Sequence, residues 1–300
     1  MESLKKHILW LLLGWLVLSF CGVYNLYLRP GLPVSIEQSI DGVVIRTPLT
    51  APRLISRVDK IPISHSYQVE YIVEQKRIGE TISLEFADQS QQTYTTIRRH
   101  NFIYLFVNIL VGLFFFTIAT AIIRRSNKTD EFYFSIGCYL IGYVTIVSWA
   151  GIQIPVFAAV IVGIVYYLSY PQILATFVIF SFYFPSPAIS NDKLTLIKRV
   201  VILAGIALSA LLIFLHYRFV MQISPESMQA FYTAYRFFRF FILITLVIAL
   251  FNVFRNERKE TNPVNRRKLQ WVLGGIFVGI FPFIFLWSVP QMLNFPPLLP

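Results

Sequence analysis

Four cationic side chains stand at the ends of two neighbouring hydrophobic runs and are the clearest candidates for binding chemistry. His216 and Arg218 close one run, while Arg236 and Arg239 open the next. The last two are three residues apart, so they share one face of a helix. Because arginine binds carboxylates through paired hydrogen bonds, the group predicts a pocket for an anionic ligand such as a peptide C-terminus. The alternative is that these side chains extend to lipid phosphates at the membrane surface.

Residue patterns for catalysis or metal binding are missing from the sequence. The four histidines are His7, His65, His100 and His216, which are too scattered for paired metal ligands. There is no His-Glu-x-x-His, no Gly-x-Ser-x-Gly and no P-loop. The two cysteines, Cys21 and Cys138, lie within hydrophobic runs and read as small buried apolar residues. We therefore expect no enzymatic activity, no metal and no cofactor in this chain.

The composition indicates the setting in which these residues lie. Of the 300 residues, 56% are hydrophobic and 14% are charged, and the mean hydropathy is +0.63. Soluble domains carry about a quarter charged residues, so this balance predicts a polytopic membrane protein. The net charge of +11 arises largely from cations in short loops beside apolar runs, where membrane topology explains them better than nucleic acid does. The expected general partner is therefore membrane lipid.

Seven runs are apolar and long enough to cross a bilayer as helices, which takes about 20 residues. They are Ile8–Tyr27, Phe102–Ile123, Phe132–Ile152, Pro155–Tyr183, Val200–Val220, Phe237–Phe254 and Gln270–Met292. We read the first as an uncleaved signal anchor, because it is longer than the core of a signal peptide. Pro171 near the middle of the fourth predicts one long, tilted or kinked span.

The distribution of Lys and Arg predicts the orientation. A cytoplasmic N-terminus places nearly all cationic loops inside, whereas the short loops predicted outside have none. The fold predicted is a polytopic α-helical membrane protein of about seven spans, with one small α+β domain outside the cytoplasm between spans 1 and 2. Its parts are residues 1–27 (N-terminus and anchor), 28–101 (the domain), 102–292 (a six-span block) and 293–300 (an outer tail). A cytoplasmic output domain would need a further span, which we expect after residue 300.

The polar segment 28–101 shows the periodicities of a small α+β domain. Strands are predicted at Gly42–Arg46, Arg53–Asp59, Thr81–Phe86 and Gln92–Ile97, and a helix at His65–Lys76.

This order of elements resembles a PDZ domain of the bacterial type. The resemblance rests on Leu54–Ile63 and on Lys76–Leu84, where such domains have a "G-(D/E)-x-(V/I)-x-L" stretch. Lys60 stands where the family usually has a glycine. The resemblance implies binding of an extended peptide as an added strand, with its carboxylate held by backbone N–H groups.

The residues that this resemblance implicates in peptide binding are Gly31, Val34, Gly42, Val43 and Val44. The candidate carboxylate loop, Gly31–Val34, contains Pro33, which has no N–H to donate. The alternative is a PDZ-shaped spacer that binds no peptide.

The whole arrangement is similar to the sensor region of bacterial histidine kinases of the competence quorum-sensing type. Asn265–Phe283 and Tyr183–Pro185 add to this resemblance. It implies a bacterial inner-membrane receptor that senses an external ligand, a peptide being one candidate. A cytoplasmic histidine kinase, in cis or in trans, would receive the signal, and a homodimer is a further expected assembly. The rival interpretation is a transporter or a membrane scaffold.

Polar and aromatic residues inside the spans are expected to have structural roles. Gln172 is expected to hydrogen-bond a neighbouring helix. Tyr166, Tyr167 and Tyr170 are expected to pack, the alternative being that they line a cavity.

Overall fold

The computed structural model describes residues 2–39, 41–47, 50–125, 128–147, 157–185, 191–221 and 225–282. Helix α1 (Glu2–Leu28) begins the chain and leads directly into a strand-rich module, residues 29–101. The elements of the module are β1 (Pro30–Gly31), β2 (Ser35–Ser39), β3 (Gly42–Thr47), β4 (Thr50–Val58), β5 (Ile61–Pro62), α2 (Ser66–Glu74), β6 (Thr81–Phe86), β7 (Gln91–Thr95) and β8 (Ile97–Arg98).

The module is built on an antiparallel sheet with the strand order β2-β3-β4-β6-β7, and β5 pairs with β4. Alternation in β6 buries Ile82, Leu84 and Phe86 on one face, as a half-buried strand requires. Helix α2 contributes the buried Val69 and Val73 to the same core. Three of the four predicted strands, and the predicted helix, are thus confirmed within a few residues at their ends.

The last predicted strand, Gln92–Ile97, is divided into two. Thr96 is buried between β7 and β8, and its hydroxyl donates to the carbonyls of Arg77 and Glu80 at 2.6 and 3.0 Å. After this point β8 pairs antiparallel with β1 as a separate two-stranded ladder. This ladder joins the segment that follows α1 to the segment that precedes the next helix.

Six further helices follow the module: α3 (Phe102–Arg125), α4 (Thr129–Val147), α5 (Phe157–Tyr183), α6 (Asn191–Met221), α7 (Pro225–Lys259) and α8 (Pro263–Pro282). A helix therefore lies at each of the seven predicted runs. Residues 148–152 of the third run, residues 155–156 of the fourth, the end of the last run beyond residue 282 and the tail at 293–300 lie outside the described residues. Helix α5 is one continuous helix with Pro171 inside it, as predicted.

Four of the described helical stretches are long and apolar enough to cross a membrane: Phe102–Arg125, Val160–Tyr183, Asp192–Arg218 and Gln229–Lys259. A shorter apolar stretch, Leu13–Leu28, belongs to α1. These lengths and compositions fit a membrane protein.

Close packing between the helices depends on small and polar residues. A side chain on Gly112 of α3 would meet the Gly142 carbonyl oxygen of α4 at 2.7 Å, so both positions need glycine for the two backbones to approach. Helix α1 is held to α5 by a hydrogen bond of 3.2 Å from the indole of Trp15 to the Ser169 hydroxyl. A second polar contact links α7 to the residue that follows α5, where Asn256 donates to the Phe184 carbonyl at 2.9 Å.

Candidate functional site

A groove in the module lies between the start of β2 and helix α2. In the described residues β2 is an edge strand, since it pairs only with β3. The groove holds a cavity of about 280 Å³. Its lining residues come from the β1–β2 segment, from α2 and from the end of β8: Gly31, Leu32, Val34, Ser35, Ile36, Glu70, Val73, Ile97, Arg98 and Arg99. An open strand edge beside a helix is the geometry into which an extended peptide can add as a strand.

Two of the predicted peptide-binding residues, Gly31 and Val34, line this groove. Gly42, Val43 and Val44 instead lie in β3, which is paired on one side with β2 and on the other with β4. Both edges of β3 are therefore occupied. Gly42 has φ +132°, a conformation that favours glycine, so the β2–β3 turn itself explains this residue.

Gly31 has a packing role as well as a place in the groove. A side chain at this position would meet the Cα of Arg99 at 3.0 Å. Glycine is therefore needed for β1 to approach the segment that follows β8. This close approach brings the backbone of the predicted carboxylate loop next to two arginines.

Arg98 and Arg99, which lie shortly before α3, add positive charge to the groove. The guanidinium of Arg98 lies 4.0 Å from the ring centre of Tyr27 at the end of α1. Arg99 donates to the Glu70 carboxylate at 2.9 Å. Burial lowers the pKa of Arg99, but the carboxylates of Glu70 and Glu74 outweigh this effect and leave that pKa above its ordinary value. The groove thus offers a charged guanidinium to an anionic ligand.

A buried ion cluster lies behind the groove and shares Arg99 with it. Arg29 donates to the Glu74 carboxylate, and both residues are buried, at 8% and 3% exposure. A second guanidinium, that of Arg99, is 3.8 Å from the same Glu74 oxygen. The cluster joins the segment after α1, the end of α2 and the segment before α3. Removing one partner of a buried pair of this kind costs about 3–5 kcal/mol.

The charge balance at Glu74 depends on its two arginines. Burial raises the pKa of this carboxyl, while Arg29 and Arg99 oppose that rise. Its second oxygen, Oε2, is buried and has no hydrogen-bond partner among the described residues. A change in the position of either arginine would therefore change the protonation of Glu74.

His100 lies beside the ion cluster, one residue before the cap of α3. Its ring stacks on Tyr104 with ring centres 4.6 Å apart, and the Asn101 side chain accepts the Tyr104 N–H at 2.8 Å as an N-cap. Burial, with smaller contributions from Arg29 and Arg99, lowers the pKa of His100 to about 4. The ring is therefore neutral at physiological pH.

The ion cluster also lies within electrostatic range of the helical block. The charge of Arg99 interacts with Tyr232 of α7. The charges of Arg29 and Glu74 interact in the same way with Tyr167 of α5. Tyr167 is fully buried. The charged groups Arg29, Glu74 and Arg99 are thus close enough to aromatic residues of α5 and α7 to interact with them electrostatically.

These aromatic residues form a cluster with two of the four predicted ligand-binding cations. The predicted packing of the tyrosines on α5 is observed, because Tyr166 and Tyr167 are buried and Tyr167 contacts both His216 and Phe231, with ring centres 5.0 and 5.9 Å apart. The guanidinium of Arg239 lies 5.2 Å from the ring centre of Tyr235.

The other two cations, Arg218 and Arg236, are exposed. The described contacts place His216 and Arg239 in the aromatic cluster, and the predicted anion pocket of all four residues stays a prediction. The nearby Gln172 side chain packs against Gly205 of α6, but its Nε2 has no hydrogen-bond partner among the described residues.

No protein-family model, no curated protein and no solved structure matches the chain. The resemblances to PDZ domains and to sensor kinases therefore rest on the residues that carry them.

Proposed function

We propose that the chain is the sensor part of a bacterial histidine-kinase receptor of the inner membrane. In this proposal it crosses the membrane about seven times, with its N-terminus in the cytoplasm and the module, a PDZ-like domain, outside. The module binds an external ligand that carries a free carboxylate, a peptide being the leading candidate. The helices then pass the signal to a cytoplasmic kinase in cis or in trans.

The observation that carries this proposal is the double role of Arg99. One guanidinium lines the groove, pairs with Glu70 at its wall and approaches the buried Glu74. Glu74 in turn binds Arg29, the first residue after α1. Two salt bridges, Arg99–Glu74 and Glu74–Arg29, thus connect the groove to the end of the first helix.

The carboxylate preference follows from the donors around the groove. Pro33 removes one backbone N–H from the loop that would hold a peptide carboxylate. Arg99 can supply the missing donors, because a guanidinium binds a carboxylate through two hydrogen bonds. A ligand carboxylate would then compete with Glu70 and Glu74 for Arg99.

The expected relay starts from this competition. When Arg99 turns toward a ligand, Glu74 loses one of its two cations, and its buried carboxyl is protonated more readily. The Arg29–Glu74 pair weakens, and α1 and α3 are freed to shift relative to α2. Such a shift is a two-state change of the kind that a bound ligand can bias.

The proposal is tested by screening the full chain in nanodiscs against arrayed hexapeptides attached through their N-termini. Each peptide is presented with a free C-terminus and, as a second copy, with an amidated one. We expect a subset to bind only with the free carboxylate. Arg99→Gln should lower this binding by about tenfold or more, since a charged hydrogen bond contributes about 1.5–3 kcal/mol.

Arg53→Gln is the matched control, because Arg53 is paired with Asp88 away from the groove. This variant should bind the same peptides as the wild type. Equal binding of free and amidated peptides, or equal binding by Arg99→Gln, would contradict the proposal.

A further inference from the structure

A second cavity lies in the helical block, between α1, α3 and α4. Its volume is about 460 Å³. The apolar part of its lining includes Leu16 of α1 and Leu113 and Phe116 of α3. Tyr139 of α4 closes one side of the cavity, and its hydroxyl is hydrogen-bonded to the Thr120 hydroxyl at 3.2 Å. The cavity is therefore a mostly apolar groove along α3, with a few hydroxyl groups.

Two adjacent arginines, Arg124 and Arg125, line the end of this groove in the last turn of α3. Both are exposed, and neither has a salt-bridge partner among the described residues. From Leu113 to Arg125 the helix rises about 18 Å. A cationic end and an apolar groove of this length match a molecule with an anionic head and a long hydrocarbon chain.

We infer that this groove is a binding site for an anionic phospholipid. One acyl chain lies along Leu113 and Phe116, and the headgroup phosphate accepts hydrogen bonds from Arg124 and Arg125. Basic pockets between membrane helices bind acidic lipid headgroups in this way. The site is separate from the groove of the module and does not rest on the proposed sensing function.

Charge complementarity commits the site to an acidic lipid rather than a zwitterionic one. An acidic lipid brings net negative charge to the two guanidinium groups, whereas a zwitterionic lipid also brings a positive headgroup charge that they repel. The apolar part of the groove distinguishes the site from general attraction of arginines to lipid phosphates, because that attraction needs no groove. The groove and the two charges can therefore be tested separately.

The test is native mass spectrometry of the full chain in detergent, with phosphatidylglycerol and phosphatidylcholine of identical acyl chains added in equal amounts. We expect the wild type to retain one phosphatidylglycerol in preference to phosphatidylcholine. The double variant Arg124→Gln/Arg125→Gln should weaken this binding roughly thirtyfold, from about 1 kcal/mol per arginine.

A second variant, Ala121→Phe, keeps both arginines and fills the groove, because Ala121 is exposed and lines it. It should lose the retained lipid as well. The matched control is Arg258→Gln/Arg267→Gln, which removes two exposed arginines outside this lining and should behave as the wild type.

The inference is overturned if the wild type retains both lipids equally, or if Ala121→Phe or the Arg124/Arg125 variant retains phosphatidylglycerol as the control does. A dimer that dissociates in Ala121→Phe would also overturn it, since the groove would then be an interface between two copies of the chain.

Discussion

At the scale of single residues, the turn between β4 and β5 is built from two residues with positive φ. Asp59 has φ 45° and Lys60 has φ 69°. Asp59 is held by Lys76 at 2.6 Å and accepts the Ser83 N–H at 2.9 Å. Burial would raise the pKa of Asp59, but Lys76 and Ser83 outweigh it and hold this pKa below its ordinary value. Lys60 also adopts a conformation that favours glycine, and its side chain is exposed, with no salt bridge among the described residues.

The first prediction compares two substitutions of Lys60. Both Lys60→Gly and Lys60→Ala remove the exposed side chain, but only glycine relieves the left-handed backbone. We expect the glycine variant to be more stable than the alanine variant by about 1 kcal/mol in thermal unfolding of the full chain. Thr93 of β7, whose φ is not positive, is the control. At this position Thr93→Gly should be less stable than Thr93→Ala by about 0.5–1 kcal/mol. If the stability difference between the glycine and the alanine variant had the same sign at Lys60 and at Thr93, the positive φ of Lys60 would not be a source of strain.

The second prediction concerns His100 and the charges that face it. Its folded pKa of about 4 is below the ordinary value of 6.5, so any stability linked to the neutral ring is present above pH 6.5 and is lost as the pH falls to about 4. An NMR titration of the imidazole nitrogens should show no protonation above pH 5. Arg99→Gln should raise the pKa of His100, because it removes a neighbouring positive charge. A titration midpoint near 6.5 in the wild type would contradict the burial of this ring beside Arg29 and Arg99.

At the scale of elements, α5 and α7 are joined by polar contacts in an otherwise apolar region. Asn252 donates to the Ser181 hydroxyl at 3.1 Å, and Asn256 donates to the carbonyls of Ser181 and Phe184 at 3.3 and 2.9 Å. Both asparagines are buried. Hydrogen bonds between membrane helices contribute about 0.6–2 kcal/mol.

The third prediction follows from this contact. Asn256→Ala should lower the free energy of unfolding by about 1–2 kcal/mol, because it leaves the Ser181 and Phe184 carbonyl groups without this donor. Gln229→Ala on the exposed face of the same helix is the control and should change stability by less than about 0.5 kcal/mol. Thermal unfolding in detergent measures both. Equal stability of the two variants would show that the asparagine contact does not hold α5 to α7.

Element positions could be predicted from the sequence, but the lengths of α6 and α7 could not. The predicted spans Val200–Val220 and Phe237–Phe254 cover only the apolar parts of helices that extend over Asn191–Met221 and Pro225–Lys259. Apolar windows locate what the bilayer can accept, whereas polar helix-forming residues continue the same backbone hydrogen bonding beyond it. Strands β1 and β2 were also missed. β1 has only two residues, and β2 carries no strict alternation of apolar side chains.

At the scale of the whole molecule, the candidate site was only half predicted. Gly31 and Val34 could be found because the resemblance to a PDZ domain implies a carboxylate loop shortly before the predicted strand Gly42–Arg46. The cluster of Arg29, Glu74 and Arg99 could not, because its members are far apart in sequence and meet only when β1 pairs with β8. In the sequence Arg98 and Arg99 look like ordinary cations before a membrane helix, and their place in the groove depends on that tertiary pairing.

The fourth prediction is that the groove and the first helix are coupled through the ion cluster. The measurement is hydrogen exchange of the full chain in nanodiscs, with and without a free-carboxylate peptide that binds in the hexapeptide array. We expect slower exchange at the groove and altered exchange in α2 from Val73 onward, at Arg29 and at the start of α3. In Glu74→Gln the groove should still be protected, while the change at Arg29 and α3 should disappear. Protection confined to the groove in the wild type would contradict the coupling.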